Sequence, residues 1–138
     1  MKHTRSSSPL YFKTTQSRKS AELLEDYAEA IDEILNKKGS VKNVDLCQFF
    51  GVSNATVSKN IKRLIKAELV ESEKYKNIFL TKNGKKLADQ SNTRHQILFN
   101  FLIKLGISRK TAETDSEGME HHISDETLKV MKKFIQSN

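Results

Sequence analysis

Apolar residues recur along much of the chain at steps of three and four residues, the spacing that places side chains on one face of an α-helix. The first such segment predicts an amphipathic helix that begins at Ala21 and ends near Gly39. Residues 1–20 lack this periodicity, are rich in Ser, Thr and Lys, and contain the only proline, so they predict a mobile basic tail. The apolar positions of the first helix are Leu23, Leu24, Tyr27, Ile31, Ile34 and Leu35.

In the middle of the chain, helix-like and strand-like spacings of the apolar residues follow one another. Residues 41–50 can form a short helix, Gly51 and Val52 a tight turn, and Ser53 a side-chain cap for a second helix that runs to about Glu68. Strand-like residues then flank the polar stretch 74–77, which indicates a hairpin. A helix-turn-helix followed directly by a hairpin predicts a winged DNA-binding domain.

The last third of the chain is helical again. Thr81 can cap a long helix that continues to Gly106, and Ser108 and Ser124 can cap two more. These helices carry more apolar surface than a thin winged domain can cover, which predicts a homodimer interface. The predicted fold class is therefore mainly α, with a winged helix-turn-helix DNA-binding domain over residues 21–90 followed by a helical dimerisation and metal-binding domain over 91–138.

The charge is strongly basic but segregated along the chain. A net charge of +7 favours a polyanionic partner, whereas two short segments are almost purely acidic and need another explanation. No apolar run approaches the roughly 20 residues of a spanning helix, and residues 1–20 hold no apolar signal-peptide core, so we expect a cytoplasmic protein with no membrane partner. Cys47, the only cysteine, excludes an internal disulfide and a Cys-rich metal site.

The outer face of the second helix has the composition of a recognition helix. Short polar side chains there can read bases in a major groove, and the basic ones can hold phosphates. An isolated run of this kind is more often a solvated helix face, but the preceding turn and the following hairpin favour DNA binding here. For Lys76 in the hairpin, an ordinary charged turn is an equally good explanation. The predicted DNA-binding residues are Ser53, Asn54, Thr56, Lys59, Asn60, Lys62, Arg63 and Lys76.

The acidic segments contain a candidate metal site. Glu117, Glu120 and His121 share one helix face, and the same three-residue spacing separates Asp26 from Glu29. With His95 on the long helix they supply oxygen and nitrogen ligands suited to Mn²⁺ or Fe²⁺, for one ion or two per subunit. Taken singly, the carboxylates would be a solvated acidic face and His95 an incidental helix histidine.

Over residues 24–136 the chain resembles the manganese transport regulators within the diphtheria toxin repressor superfamily. The resemblance rests on the segments DYAE (26–29), GVSNATV (51–57), FLTKNG (79–84), RHQ (94–96) and EGMEHHIS (117–124). It implies a binuclear Mn²⁺ site that ties the first helix to the dimerisation helices. The ligand set that it implies is Asp26, Glu29, His95, Glu117, Glu120 and His121.

Carboxylates at Asp26, Glu29 and Glu117, where iron-sensing relatives carry softer or non-ligating residues, favour Mn²⁺ over Fe²⁺. The resemblance implies a homodimeric transcriptional regulator, not an enzyme, that binds a palindromic operator in double-stranded DNA. It represses manganese uptake genes when metal is bound, with activation of an exporter as the alternative. Two other readings compete with it. One is a metal-independent winged-helix regulator, and the other is a metal enzyme or metal-storage protein.

Overall fold

The computed structural model of the protein describes residues 9–73 and 77–137. Within these ranges no helix is both long enough and apolar enough to cross a membrane. The elements follow the predicted order, which confirms the mainly α fold class. They are α1 (Pro9–Lys38), α2 (Asn43–Phe50), α3 (Asn54–Lys66), β1 (Val70–Ser72), β2 (Ile78–Leu80), α4 (Lys82–Leu105), α5 (Arg109–Met119), a 3₁₀ turn (Glu120–His122) and α6 (Asp125–Gln136).

Side-chain caps explain where four of the helices begin. In each, a hydroxyl oxygen accepts a hydrogen bond from the backbone N–H three residues further on, which satisfies a donor that the first helical turn leaves free. Gly51 and Gly106 then end α2 and α4 with φ values of 64° and 98°, a left-handed backbone that favours glycine. The four caps are Ser53, Thr81, Ser108 and Ser124.

Helix α1 is longer than the sequence pattern predicts. It begins at Pro9 instead of Ala21, so the predicted start of this helix is wrong. Proline is favoured at the first position of a helix, and residues 10–20 contain neither glycine nor proline to interrupt one. Their polar composition therefore weakens the apolar periodicity without preventing the helix.

The winged unit is built around α3 and the hairpin. Strands β1 and β2 are antiparallel, with Val70 opposite Leu80, and the N–H of Ile78 donates to the carbonyl of Val41 at 2.7 Å. That bond joins the segment between α1 and α2 to the edge of the hairpin. The shared core consists of buried side chains from α1, α2, α3 and both strands, among them Tyr27, Ile31, Val41, Leu46, Val57, Leu64 and Ile78.

Helix α4 connects the winged unit to the C-terminal helices. It packs against α1 on one side and against α5, the 3₁₀ turn and α6 on others. Leu98 and Leu102 of α4, Ala112 of α5 and Leu128 of α6 are buried in this second layer. This packing brings the acidic face of α1 next to His95 and the 3₁₀ turn.

Gly84, in the first turn of α4, is where the wing and the long helix come closest. A Cβ added there would lie 2.0 Å from the carbonyl oxygen of Leu69, a distance that real contacts do not reach. Since that carbonyl also accepts from the N–H of Thr81, it cannot move freely. We expect Gly84→Ala to lower the free energy of unfolding by at least about 2 kcal/mol, as overpacking in a well-packed core does.

Urea unfolding of the metal-free protein, followed by circular dichroism, measures this loss. Gly118→Ala is the matched control because Gly118 also lies in a helix, α5, and a Cβ there meets nothing within 4 Å. Alanine is the better helix former by about 1 kcal/mol, so the control should be neutral or stabilising. Equal effects of the two substitutions would contradict the close packing at Gly84.

Candidate metal centre and nucleic-acid interface

His121 of the 3₁₀ turn lies at the centre of a carboxylate cluster, with only 3% of its side chain exposed. Its Nε2 atom is 2.9 Å from Oδ1 of Asp26 and 3.4 Å from Oε1 of Glu120. Its Nδ1 atom, on the other edge of the ring, is 2.6 Å from Oε2 of Glu25. The turn thereby connects the C-terminal helices to the acidic face of α1.

His95 of α4 forms the second half of the same cluster. Its Nδ1 atom is 3.0 Å from Oε2 of Glu120 and 4.0 Å from Oε1 of Glu117. The Glu117 side chain is 72% exposed, so the cluster opens to solvent on that side. Arg94, the neighbour of His95, donates to the carbonyl of Ile123 at 2.8 Å and fastens the 3₁₀ turn to α4.

Glu29 and Glu120 bring two carboxyl groups into the interior between α1 and the 3₁₀ turn. The Oε1 atom of each is buried without a hydrogen-bond partner, and Glu120 is only 1% exposed. Burial raises the pKa of Glu29 above its usual range. Burial, reinforced by repulsion from Glu29, raises the pKa of Glu120 to about 9. Buried carboxylate oxygens that lack a hydrogen bond are suited to a divalent cation.

The pKa of His121 moves in the direction opposite to that expected for a buried imidazole. Burial alone would lower the pKa, but hydrogen bonds to Asp26 and Glu25 and the charge of Glu120 outweigh it and raise the pKa to about 10. Without a cation, the imidazolium form of His121 therefore supplies positive charge at the point where the carboxylates converge.

The structure links all six residues predicted as metal ligands. Asp26 and Glu120 contact His121, Glu120 contacts His95, Glu117 lies beside His95, and Glu29 interacts with Glu120. Carboxylate oxygens and imidazole nitrogens are a donor set that fits a hard or borderline divalent cation. The residues present therefore fit a metal ion, with Glu120 in the middle because its two oxygens face different histidines.

Three further residues, Glu22, Glu25 and His122, lie at the cluster and were not predicted as ligands. Glu22 places a carboxylate oxygen within 4.8 Å of the nearest ligating atoms of Asp26 and His121, and it lies 3.3 Å from Nε2 of His122. Glu25 contacts the far side of the His121 ring. Helical spacing could have indicated Glu22, since it stands four residues before Asp26 and seven before Glu29.

The exposed face of α3 carries most of the residues predicted to bind DNA. Ser53 caps the helix, and its Oγ atom donates to Oγ1 of Thr56 at 3.1 Å. Arg63 donates to Oγ of Ser20 in α1 at 2.7 Å. This face has no acidic residue between Asn54 and Lys66, so its field is positive. The predicted DNA-binding residues that are exposed here are Ser53, Asn54, Thr56, Lys59, Lys62 and Arg63.

Asn60 does not lie on that face, which corrects its predicted role. It is 8% exposed, and its Nδ2 atom donates to the hydroxyl of Tyr27 in α1 at 2.9 Å. A buried amide needs such a partner, and the bond turns the side chain away from any groove. Asn60 therefore leaves the proposed DNA-contacting set. Lys76 lies outside the described residues.

Comparison with known families matches both halves of the chain. The model described as the iron dependent repressor N-terminal DNA binding domain matches residues 20–78. The model for the iron dependent repressor metal binding and dimerisation domain matches residues 81–137. The two models meet at the junction between the wing and α4.

Relatives and solved structures agree with these matches. The transcriptional regulator MntR of Escherichia coli O6:H1 is 42% identical over 127 residues, covering 92% of this chain and 82% of the relative. The structure of the manganese regulator SloR aligns with a TM-score of 0.71 at 28% identity, over 82% of this chain and 53% of that one. A manganese-dependent transcriptional repressor in complex with manganese gives 0.73 at 26% identity, over 82% and 52%. The chain spans about half the length of these two structures.

Proposed function

We propose that this chain, which belongs to the iron-dependent repressor family, is a Mn²⁺-responsive repressor that binds operator DNA as a homodimer. The family consists of transcriptional regulators and not enzymes, and one of its two domains binds metal. Membership therefore favours a metal-responsive regulator over the alternatives that the sequence had left open, namely a metal-independent regulator and a metal enzyme or metal-storage protein. Manganese uptake genes are the proposed targets, and the cytoplasm the proposed location.

The observation that carries the proposal is the cluster between α1 and the C-terminal helices. Asp26 and Glu29 come from the DNA-binding unit, whereas His95, Glu120 and His121 come from α4 and the 3₁₀ turn. A bound cation would supply the positive charge that allows these carboxylates to remain ionised side by side. Bound to the cation, the carboxylates would hold α1 against α4 more firmly than they can without metal, when they repel one another.

A short path leads from this cluster to the recognition helix. Tyr27 directly follows Asp26 in α1, and its hydroxyl accepts the hydrogen bond from Asn60 of α3. Arg63 of α3 is bound to Ser20 of the same helix. Whatever fixes α1 relative to α4 therefore also restricts α3, and a restricted α3 loses less freedom when it binds DNA.

The two oxygens of Glu120 support two ions per subunit. Oε1 lies 3.4 Å from Nε2 of His121, the atom that Asp26 also contacts, while Oε2 lies 3.0 Å from Nδ1 of His95, with Glu117 nearby. Glu120 could therefore offer one oxygen to each of two ions. The absence of cysteine from the cluster and its excess of carboxylates favour Mn²⁺ over softer ions, with Fe²⁺ as the next best fit.

An apolar face of the C-terminal helices supports the dimer. Exposed side chains of α4 and α6 border an open groove, and the exposed fractions of Leu105 and Val130 are 53% and 63%. A patch of this kind is the usual core of a subunit interface. A twofold dimer presents two recognition helices, which predicts a palindromic operator. The groove is lined by Phe101, Leu105, Val130, Met131 and Phe134 with Glu126 and Thr127.

The test is a Mn²⁺ titration of operator affinity. A promoter fragment from a manganese uptake gene and a scrambled fragment are titrated with protein in a mobility-shift assay, in excess Mn²⁺ or with chelator. We expect Mn²⁺ to tighten operator binding by roughly 10- to 100-fold, the usual size of a coupling between two sites. Binding to the scrambled fragment should change far less.

Asp26→Asn is the matched variant, because it keeps the shape of the side chain and removes one ligating charge. It should bind the operator in Mn²⁺ no better than the wild type does in chelator. Asp115→Asn, an exposed acid on α5 away from the described contacts of the cluster, should behave as the wild type. Operator binding that is equal with Mn²⁺ and with chelator would overturn the proposed function.

A further inference from the structure

Glu25 and Asp26 contact opposite edges of the same imidazole. Oε2 of Glu25 is 2.6 Å from Nδ1 of His121, and Oδ1 of Asp26 is 2.9 Å from Nε2. Consecutive residues of a helix point about 100° apart, so neighbouring side chains of α1 can reach the two sides of one ring. The two carboxylates therefore have different surroundings although they are adjacent in sequence.

The edge of the ring that carries Nε2 faces the other ligands. Oε1 of Glu120 lies 3.4 Å from Nε2, and Oδ1 of Asp26 lies 2.9 Å from it. A nitrogen that binds a cation must present a lone pair to it. The neutral ring carries one proton, which must then be on Nδ1.

We propose that Glu25 is a positioning residue that holds the proton of neutral His121 on Nδ1 and thereby directs the Nε2 lone pair towards the metal. An ionised carboxylate can only accept hydrogen bonds, so the contact at 2.6 Å selects the Nδ1–H form of the ring. The same contact fixes the rotation of the ring. Metal-binding histidines commonly have such a partner on the second nitrogen.

This inference rests on the proposed function in one respect, namely that His121 binds a divalent cation. The role of Glu25 goes beyond the proposed function, because Glu25 does not itself bind the ion. A ligand and a positioning residue respond differently to glutamine. An amide oxygen still accepts from Nδ1–H, but it is a much poorer ligand than a carboxylate.

The experiment compares Glu25→Ala, Glu25→Gln and the wild type by calorimetric titration with Mn²⁺. Loss of a partner of this kind typically lowers metal affinity 10- to 100-fold, so we expect a loss of about that size for Glu25→Ala. Glu25→Gln should recover most of it. Glu33→Ala is the control, because Glu33 lies on α1 and pairs with exposed Lys37. It should bind Mn²⁺ as the wild type does.

A spectroscopic readout follows the tautomer itself. In the diamagnetic Cd²⁺-loaded protein, ¹⁵N spectra of the histidine rings should show a protonated Nδ1 and a metal-bound Nε2 for His121 in the wild type and in Glu25→Gln. Glu25→Ala should lose that single pattern. Circular dichroism of all variants with chelator confirms that each is folded.

Two results would overturn the role of Glu25 while leaving the metal site in place. The first is an equal loss of Mn²⁺ affinity in Glu25→Gln and Glu25→Ala, which would make the carboxylate a ligand or a purely electrostatic contributor. The second is an affinity of Glu25→Ala that equals that of Glu33→Ala. A wild-type chain that does not bind Mn²⁺ would instead overturn the proposed function.

Discussion

The substitution Glu120→Gln is expected to lower Mn²⁺ affinity by roughly 100-fold or more. Loss of a residue that only hydrogen-bonds to a ligand typically costs 10- to 100-fold in metal affinity, and loss of a ligand itself should cost more. Glu120 is the only residue of the described cluster whose carboxylate faces both His95 and His121. The amide keeps the volume of the side chain but removes the charge that both positions need. Operator binding in Mn²⁺ should fall to the level seen with chelator.

The same substitution should have the opposite effect on the metal-free fold. Glu120 is buried beside Glu29, and its raised pKa reflects how unfavourable its ionised form is there. Glu120→Gln should therefore leave the free energy of unfolding in chelator unchanged or increase it. Stability lost together with metal affinity would mean that Glu120 acts as a structural hydrogen-bonding group and not as a ligand.

Calorimetric Mn²⁺ titration and urea unfolding in chelator measure the two effects separately. Glu113→Gln is the control, because Glu113 is an exposed acid on the same helix as Glu117 and its backbone carbonyl, not its carboxylate, accepts a hydrogen bond from Ser116. It should change neither quantity. An affinity of Glu120→Gln within about threefold of wild type, far short of the loss expected for a ligand, would contradict the assignment.

The helical elements could be predicted because their signals are local. Each cap at Ser53, Thr81, Ser108 and Ser124 needs only the residue itself and the backbone three positions on. The start of α1 at Pro9 was missed because a polar segment has no apolar period to reveal a helix. Whether such a segment forms a helix depends on the helix propensity of its residues and on the absence of glycine and proline, and these are weak signals.

The metal cluster could be predicted in part for the same reason. The three-residue spacing of Asp26 with Glu29, and of Glu117 with Glu120, is visible in the sequence, but the sequence alone does not show that the two pairs meet. The resemblance to a known family implied that the two pairs share one site, and the packing of α1 on α4 brings them together. Glu25 escaped notice because a residue next to a predicted ligand points in another direction on a helix.

Asn60 shows the limit of reading a helix face from composition. It lies beside Ile61 and three residues after Val57, both in the core, so its angular position is at the edge of the buried stripe. A polar side chain at that edge can face either way. The hydroxyl of Tyr27, 33 residues earlier, decides the matter, and a partner so distant in sequence leaves no local signal.

Mn²⁺ affinity should rise steeply with pH. Without metal, the pKa of His121 is about 10 and that of Glu120 about 9, so both groups hold a proton near neutral pH. Ligands bind cations in their deprotonated form, so each of these groups must release one proton. At pH values below both pKa values the Mn²⁺ affinity is therefore reduced, and it recovers as the pH approaches them. The logarithm of the affinity should climb by about two per pH unit between about pH 6.5 and pH 8.5.

Calorimetric titration of Mn²⁺ under oxygen-free conditions, in two buffers with different ionisation enthalpies, counts the protons directly. We expect about two protons to be released per subunit when the wild-type site fills at neutral pH. Glu120→Gln removes one of the titrating groups, so its residual binding should release about one proton and show half the pH slope. Affinity that does not change over this range would mean that His121 and Glu120 are already deprotonated before the metal arrives, or that neither of them binds it.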